Sequence, residues 1–232
     1  MKKDFIYSSQ QSLFGQQEVI GFGNKLFCIK EIDRDVANRI IIENHYSGKI
    51  YSASYIHLGV YSCETDLIGI LQFGYAMNPA SMASVVKGTA IDEYLELNRM
   101  WFREESFKDG KSQAMSYAMK YIKRKFPKIK WVQSFADERC NKYGIVYQAC
   151  NFVYCGEHTS NFWELDGVLY HNSMMTRSPE QRKAAALLQE NKGRVIKHTY
   201  RQFRYLYFIK RNAMKDLLLP IQKPPKHYEV TA

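Results

Sequence analysis

A carboxylate and a phenol stand on either side of one turn in this chain. The segment Ser134-Phe-Ala-Asp137-Glu-Arg-Cys-Asn-Lys-Tyr-Gly144-Ile-Val-Tyr147-Gln-Ala-Cys150-Asn-Phe152 reads as the end of a buried strand, a turn carrying an acid, and a short amphipathic helix. Asp137 lies just past the apolar strand end, where open α/β sheets place their chemistry. Tyr147, on the helix, can be aimed at the same cleft. Together they could take and return a proton at a reacting group. Each also has a plainer use: Asp137 as a helix cap, Tyr147 as a core ring with its hydroxyl at the rim.

Three other clusters bear on this pair. Asn98-Arg99 sits inside the stretch 94–102, whose alternation predicts a strand with Leu95, Leu97 and Arg99 on one face. An arginine there must find a carboxylate, a phosphate or a cleft, because burying it unpaired is costly. His45-Tyr46 ends a predicted helix, where an imidazole and a phenol could close a cleft as base, stacking platform or metal ligand. Gly110-Lys111-Ser112 opens another helix, whose free N–H groups, with the Lys111 charge, could hold a phosphate; Ser112 as an ordinary cap is the alternative. Asn98 is assigned with these three residues to cofactor binding.

The elements that must position these residues follow from the pattern. Residues 22–32 read as a strand and 36–45 as a helix capped by Asp33 or Asp35. Residues 55–61 and 67–75, rich in β-branched and aromatic side chains, read as an antiparallel hairpin. After the strand 94–102 come a helix over 113–125, ended by Pro127, and a strand over 129–136. Residues 152–154 and 161–165 close the set as a further strand pair. The order is β-α-β-β-β-loop-α-β-α-β-β, a mixed α/β layout with an α+β sheet.

Composition narrows the class. Of 232 residues, 46% are hydrophobic and 14% aromatic, which argues for a folded core. No apolar run approaches the roughly 18 residues of a membrane helix, and the N-terminus lacks a signal-peptide core. The five cysteines have no metal-site spacing and read as core residues or free thiols. The formal charge of +10 is concentrated: residues 177–226 hold thirteen Lys or Arg against Glu180, Glu190 and Asp216, while the remainder balances. In residues 194–211 Arg and Lys alternate with Tyr and Phe, the pattern that meets phosphates and unstacked bases together. Arg177, Arg194, Lys197, Arg201, Arg204, Tyr205, Lys210 and Arg211 are the contacts expected for a nucleic acid. The same interleaving would serve a strand with its rings on the core and its charges in water. Residues 173–232 are therefore read as a basic extension on a domain of 1–172.

The strand order, the glycine opening a helix, and Asn141…Tyr147…Asn151-Phe152 resemble the GNAT N-acyltransferase fold, in which the fourth and fifth strands splay to admit a pantetheine-like arm. Three blocks in order, Glu43-Asn-His-Tyr-Ser-Gly48, Glu96-Leu-Asn-Arg-Met-Trp101 and Ser134-Phe-Ala-Asp…Gly144-Ile-Val-Tyr-Gln-Ala-Cys-Asn-Phe152, are more specifically similar to the Mom family of phage DNA-modification proteins. That resemblance implies conversion of adenine N6 in double-stranded DNA to carbamoylmethyl adenine, which shields the DNA from host restriction. It implies action in the cytoplasm of a bacterial host, and it assigns His45, Tyr46, Arg99, Asp137 and Tyr147 to the site. Because N6 is paired in a duplex, base flipping is expected, with Tyr46 stacking on the extruded base.

The donor is open at this stage. Phe107 and Ser112 depart from the usual acetyl-CoA loop, and Asn141-Lys142 stands where relatives often carry Gly-His. The substituent joins N6 through carbon, which plain acyl transfer does not produce. The candidates are an acyl-CoA, another activated glycine-like donor, and a metal such as iron held by His45 and Asp137. Two other readings stay in play: an acetyl-CoA N-acetyltransferase of protein or small-molecule amines, and a non-enzymatic DNA-binding protein. Removing residues 177–232 is expected to separate them, weakening DNA binding without disturbing a small-molecule acetyltransferase.

Overall fold

The computed structural model describes residues 5–7, 21–24, 27–62, 66–103, 110–171 and 179–226. Among them, one mixed sheet of ten strands carries helices on both faces. In chain order the elements are β1 (Phe5–Tyr7), β2 (Gly21–Gly23), β3 (Phe27–Glu31), α1 (Arg34–Asn44), β4 (Ser54–Ser62), β5 (Asp66–Gly74), β6 (Tyr94–Phe102), α2 (Gly110–Lys125), β7 (Trp131–Asp137), α3 (Ile145–Ala149), β8 (Val153–Leu165), β9 (Val168–His171), α4 (Pro179–Glu190) and β10 (Ile196–Phe208). Their spatial order is β1-β2-β3-β4-β5-β6-β7-β10-β8-β9. All neighbours are antiparallel except β6 and β7, which the α2 crossover makes parallel. The mixed sheet read from the sequence is present, and no helix among the described residues is long and apolar enough to cross a membrane.

The two faces have different partners. α1 starts at Asp33, whose side chain accepts the Asp35 N–H at 2.8 Å. It lays Ala37 and Ile41, one helical turn apart, on Ile70 and Trp101. α2 packs its buried Ala114, Met115, Ala118 and Ile122 on the opposite face, against Leu71, Phe73, Leu95, Leu97 and Val132. The basic last turn of α2, Lys123-Arg124-Lys125, suits the negative end of the helix.

A bulge corrects the expected facing of Arg99. The β5–β6 register runs Gln72↔Arg99 and then Phe73↔Leu97, leaving Asn98 as an extra residue in β6. One inserted residue reverses the side-chain alternation beyond it. Leu95 and Leu97 face α2, whereas Arg99, opposite Gln72, faces α1.

Two strands part at the centre of the sheet. The parallel ladder covers only Tyr94↔Trp131, Leu95↔Val132 and Glu96↔Gln133. Beyond it β6 follows β5 to Phe102, and β7 follows β10 to Asp137. The result is a fork with Glu96 and Gln133 at its apex, the splay that the fold resemblance implies.

The C-terminal segment is not an appendage. β10 lies between β7 and β8, paired from Gln202 to Phe208 with β7 and from Ile196 to Leu206 with β8. The division into 1–172 and 173–232 thus cuts through one sheet. Alternation of aromatic and basic residues in 194–211 reflects a central strand: Phe203 and Tyr205 are fully buried in the α2-side core. Truncation at residue 177 would remove a core strand, so it cannot report on DNA contact alone.

Candidate functional site

On the α1 face, four of the expected residues arrive at the open end of the fork from three segments. His45 and Tyr46 come from the end of α1, Arg99 from β6 after its bulge, and Asp137 from the end of β7. The His45 N–H caps α1 on Ile41 O, and the turn through Gly48, with φ of 55°, swings Tyr46 outward. His45 and Tyr46 rings lie 4.2 Å apart, and Tyr46 is 54% exposed. The guanidinium of Arg139 and the ammonium of Lys142, from the turn after β7, each stand 5.4 Å from the Tyr46 ring centre.

Asp137 is buried, and its carboxylate accepts the Arg139 N–H at 3.0 Å with the Arg139 guanidinium at 3.5 Å. The cap role and a place in the site coexist. Its negative charge, after burial, is the next cause that pushes the Tyr46 hydroxyl well above the usual phenol range. Tyr46 is therefore a proton donor, not a phenolate, at neutral pH.

Arg99 makes no carboxylate pair among the described residues. Its Nε–H donates to Lys49 O at 3.0 Å and its Nη1–H to Asn98 O at 2.7 Å, with the guanidinium 5.7 Å from the Tyr51 ring. A guanidinium held by neutral carbonyls keeps its charge available to an anion.

Burial first, then Arg99, Lys142 and Arg139, push His45 down from 6.5 to about 4. Its Nδ1 accepts the Ser47 N–H at 3.2 Å and lies 2.8 Å from Ser47 Oγ, so the neutral ring carries its proton on Nε2. In the unfolded chain the ring takes a proton below about 6.5, whereas in the fold it does so only near 4. Its contribution to stability is therefore lost as pH falls through that window. An NMR titration of the His45 ring is expected to give a midpoint near 4; a midpoint near 6.5 would show a solvated ring.

Tyr147 is elsewhere. It is buried on the α2 face, 5.4 Å from the Tyr205 ring and 5.5 Å from Phe152. Burial pushes its hydroxyl up to about 12, an effect opposed by Ser134 beside it. Successive β7 residues alternate faces, so Tyr147 beside Ser134 and Asp137 meet β7 from opposite sides. They do not share one surface of the sheet. Gly144 sets α3 in place: at φ of 78°, a Cβ there would stand 2.3 Å from the Tyr205 ring.

Gly110, Lys111 and Ser112 form the first turn of α2, and Ser112 O accepts the Cys150 S–H at 3.1 Å. The loop before them, with Phe107, lies outside the described residues. Asn98 is internally engaged, its amide donating to Tyr75 O and Glu96 Oε1 and its carbonyl accepting from Ser54 Oγ.

The residues expected to grip nucleic acid separate into groups. Arg177 lies outside the described residues. Arg201 clamps Glu138, donating from Nε at 2.8 Å and Nη2 at 2.6 Å, and so ties the turn after Asp137 to β10. Arg194 is ion-paired with Asp166. Tyr205 is in the core, its hydroxyl donating to Tyr143 O. Arg204 is partly buried 5.2 Å from the Phe135 ring. Lys197, Lys210 and Arg211 are exposed. Charge counted along the sequence overstates what reaches solvent unpaired. Arg201→Ala is expected to cost about 1 kcal/mol in denaturant unfolding, the size of a solvent-screened pair, and to loosen the Asp137 turn.

Four further residues border the site and were not singled out in the sequence. Arg139 spans Tyr46 and Phe162, 4.7 Å from the latter. His171, on β9, is held below its usual range by burial and then by Arg139. Glu96 and Gln133 occupy the fork apex. Only tertiary pairing brings β9 and the apex here, so no local spacing marks them.

Iron does not fit. Among the described residues no group of three or more His, Cys, Asp or Glu could hold a metal ion. His45 Nδ1 is engaged by Ser47, and three cations act on the ring.

A model of the Mom protein family matches residues 26–226. The methylcarbamoylase mom of Escherichia phage Mu is 41% identical over 228 residues, covering 97% of this chain and 94% of that protein. Among solved structures, the spermidine/spermine N-acetyltransferase SpeG from Vibrio cholerae superposes with a TM-score of 0.49 at 11% identity, covering 82% of this chain and 96% of that one. Arabidopsis thaliana NAA60 in complex with acetyl-CoA gives 0.48 at 12% identity, with 78% and 99% covered.

Proposed function

The chain belongs to the Mom protein family, and from that premise we propose that it transfers a carbamoylmethyl group to adenine N6 in phage DNA. The observation that carries this reading is the convergence of Asp137, Arg99, His45 and Tyr46 at the open end of the β6–β7 fork. It is supported by the relative's name, a methylcarbamoylase.

Adenine N6 is a poor nucleophile, because its lone pair is delocalised into the ring. Reaction needs close positioning and a base. Asp137 accepts the N6 proton as the N6–carbon bond forms, and the leaving group departs with the electron pair of the bond it breaks. Arg99, paired with no carboxylate among the described residues, stabilises the charge that develops on the leaving group. Tyr46, exposed and flanked by Arg139 and Lys142, is the platform for the extruded base, and those cations meet the neighbouring phosphates. Neutral His45 holds the Tyr46 ring at stacking distance.

The donor, an activated glycine-like compound whose leaving group sits on the methylene carbon of its carbamoylmethyl group, so that this bond breaks as the N6–carbon bond forms, enters the fork from the α2 side. There the first turn of α2, Gly110 to Ser112, would face it, with Tyr147 packed behind on Tyr205 and Phe152. The donor's reacting end reaches through the fork to the α1 side, where adenine, Asp137 and Arg99 meet it. Plasmid DNA from cells expressing the protein is expected to resist restriction enzymes whose sites contain adenine. Cleavage identical to that of DNA from control cells would contradict the proposal.

A further inference from the structure

We propose that Glu96 and Gln133, at the apex of the fork, recognise the primary amide of the transferred group. This inference rests on the function proposed above and specifies how the carbamoyl end is read. Gln133 is buried, and its amide N–H donates to Glu96 Oε2 at 2.6 Å. Asn98 Nδ2 donates to Glu96 Oε1 at 3.1 Å and to Tyr75 O at 3.2 Å, which uses both its hydrogens. Gln133 Oε1, however, has no hydrogen-bond partner among the described residues.

A carboxylate offers about four lone-pair positions and an amide oxygen two. The cluster therefore retains acceptors while its Asn98 donors are spent. An unmet buried acceptor is costly, so a group that supplies N–H there gains what the free protein lacks.

Charge decides which N–H donor fits. Glu96 closes no ion pair among the described residues, and burial pushes its carboxyl up. The charges that act on it are those of Arg204 and Arg99, both positive. An ammonium would meet two guanidiniums and a carboxyl driven toward its neutral form. A neutral –CO–NH2 group meets no such penalty. Its two N–H bonds can reach Gln133 Oε1 and a Glu96 oxygen. Alternation with Leu95, Leu97 and Val132 puts both side chains on the α1 side, the face of Asp137 and Arg99. A plain acetyl group, with no N–H, would leave Gln133 Oε1 unmet, so the apex also selects the group transferred.

The test uses the full chain, with acetamide, a neutral primary amide, as a probe of the apex independent of DNA chemistry. Acetamide is expected to raise the thermal midpoint of the wild-type protein and to leave that of Gln133→Met unchanged. In DNA from expressing cells, Gln133→Met and Glu96→Gln are each expected to lower carbamoylmethyl adenine about tenfold, as one lost hydrogen bond to a buried group implies, with melting and salt-dependent DNA binding retained. If Gln133→Met does not fold, Glu96→Gln decides. Equal acetamide shifts in wild type and variant, or undiminished modification in both folded variants, would overturn the inference. If wild-type DNA carries no modified adenine, the proposed function fails by itself; an acetamide shift that depends on Gln133 would still support an amide site.

Discussion

Exchanging Asp137 for Asn is expected to lower the yield of modified adenine by about 10²–10⁴-fold, the range over which a positioned general base acts. Asn has the same shape, and its Oδ1 can still accept the Arg139 N–H that the carboxylate accepts at 3.0 Å. What it loses is the negative charge and the capacity to take a proton. The charge pair with Arg139, at 3.5 Å, is lost with the charge, so a modest drop in the unfolding midpoint accompanies the exchange. The fold should persist while chemistry fails, and thermal unfolding read beside nucleoside analysis separates the two. An Asp137→Asn protein that still modifies adenine normally would move the base elsewhere.

The second large effect is expected at Arg99. Arg99→Ala should reduce modification by about 10²–10³-fold, the size seen when one preorganised electrostatic donor is removed. Under the proposed function this arginine serves the reacting end. Its bonds run to the carbonyls of Lys49 and Asn98, so orientation is fixed without neutralising the charge. Arg99→Lys keeps the charge but loses the fork of donors, so recovery should be incomplete. If Arg99 serves the donor, its loss should be seen at every DNA concentration and should leave DNA affinity unchanged. A loss confined to DNA binding would instead make Arg99 a phosphate contact.

Much of this site was legible in the sequence because its residues sit at element ends. Asp33 marked the start of α1, and Gly48 marked where His45 and Tyr46 leave it. The apolar run of 129–136 led to Asp137. Arg99 was found by its type, a charge within an apolar strand, but its face was misread. Alternation of two assumes an uninterrupted ladder, and nothing in Leu97-Asn98-Arg99 announces the extra residue that turns it. Tyr147 was expected beside Asp137 because the two are close in sequence. The turn between them crosses to the other face of the sheet, where Tyr205 and Phe152 receive the ring.

The C-terminal segment misled for a different reason. Its interleaved aromatic and basic residues fit either a nucleic-acid surface or a strand, and charge density favoured the first. Pairing with β7 and β8 shows that Phe203 and Tyr205 are core, while Arg201 is bound to Glu138. A long-range ion pair leaves no local signature. Glu96 lay in view inside a recognised block, yet the residue that donates to it, Gln133, is 37 positions away.

The central claim is that the face shared by Asp137, Arg99, His45 and Tyr46 attaches a carbamoylmethyl group to adenine N6. The most direct measurement is mass spectrometry of nucleosides from DNA of cells expressing the wild-type chain, with Asp137→Asn alongside. The account predicts carbamoylmethyl deoxyadenosine in the first sample and its loss in the second. Deoxyadenosine unmodified in both, with the protein present and folded, would contradict it.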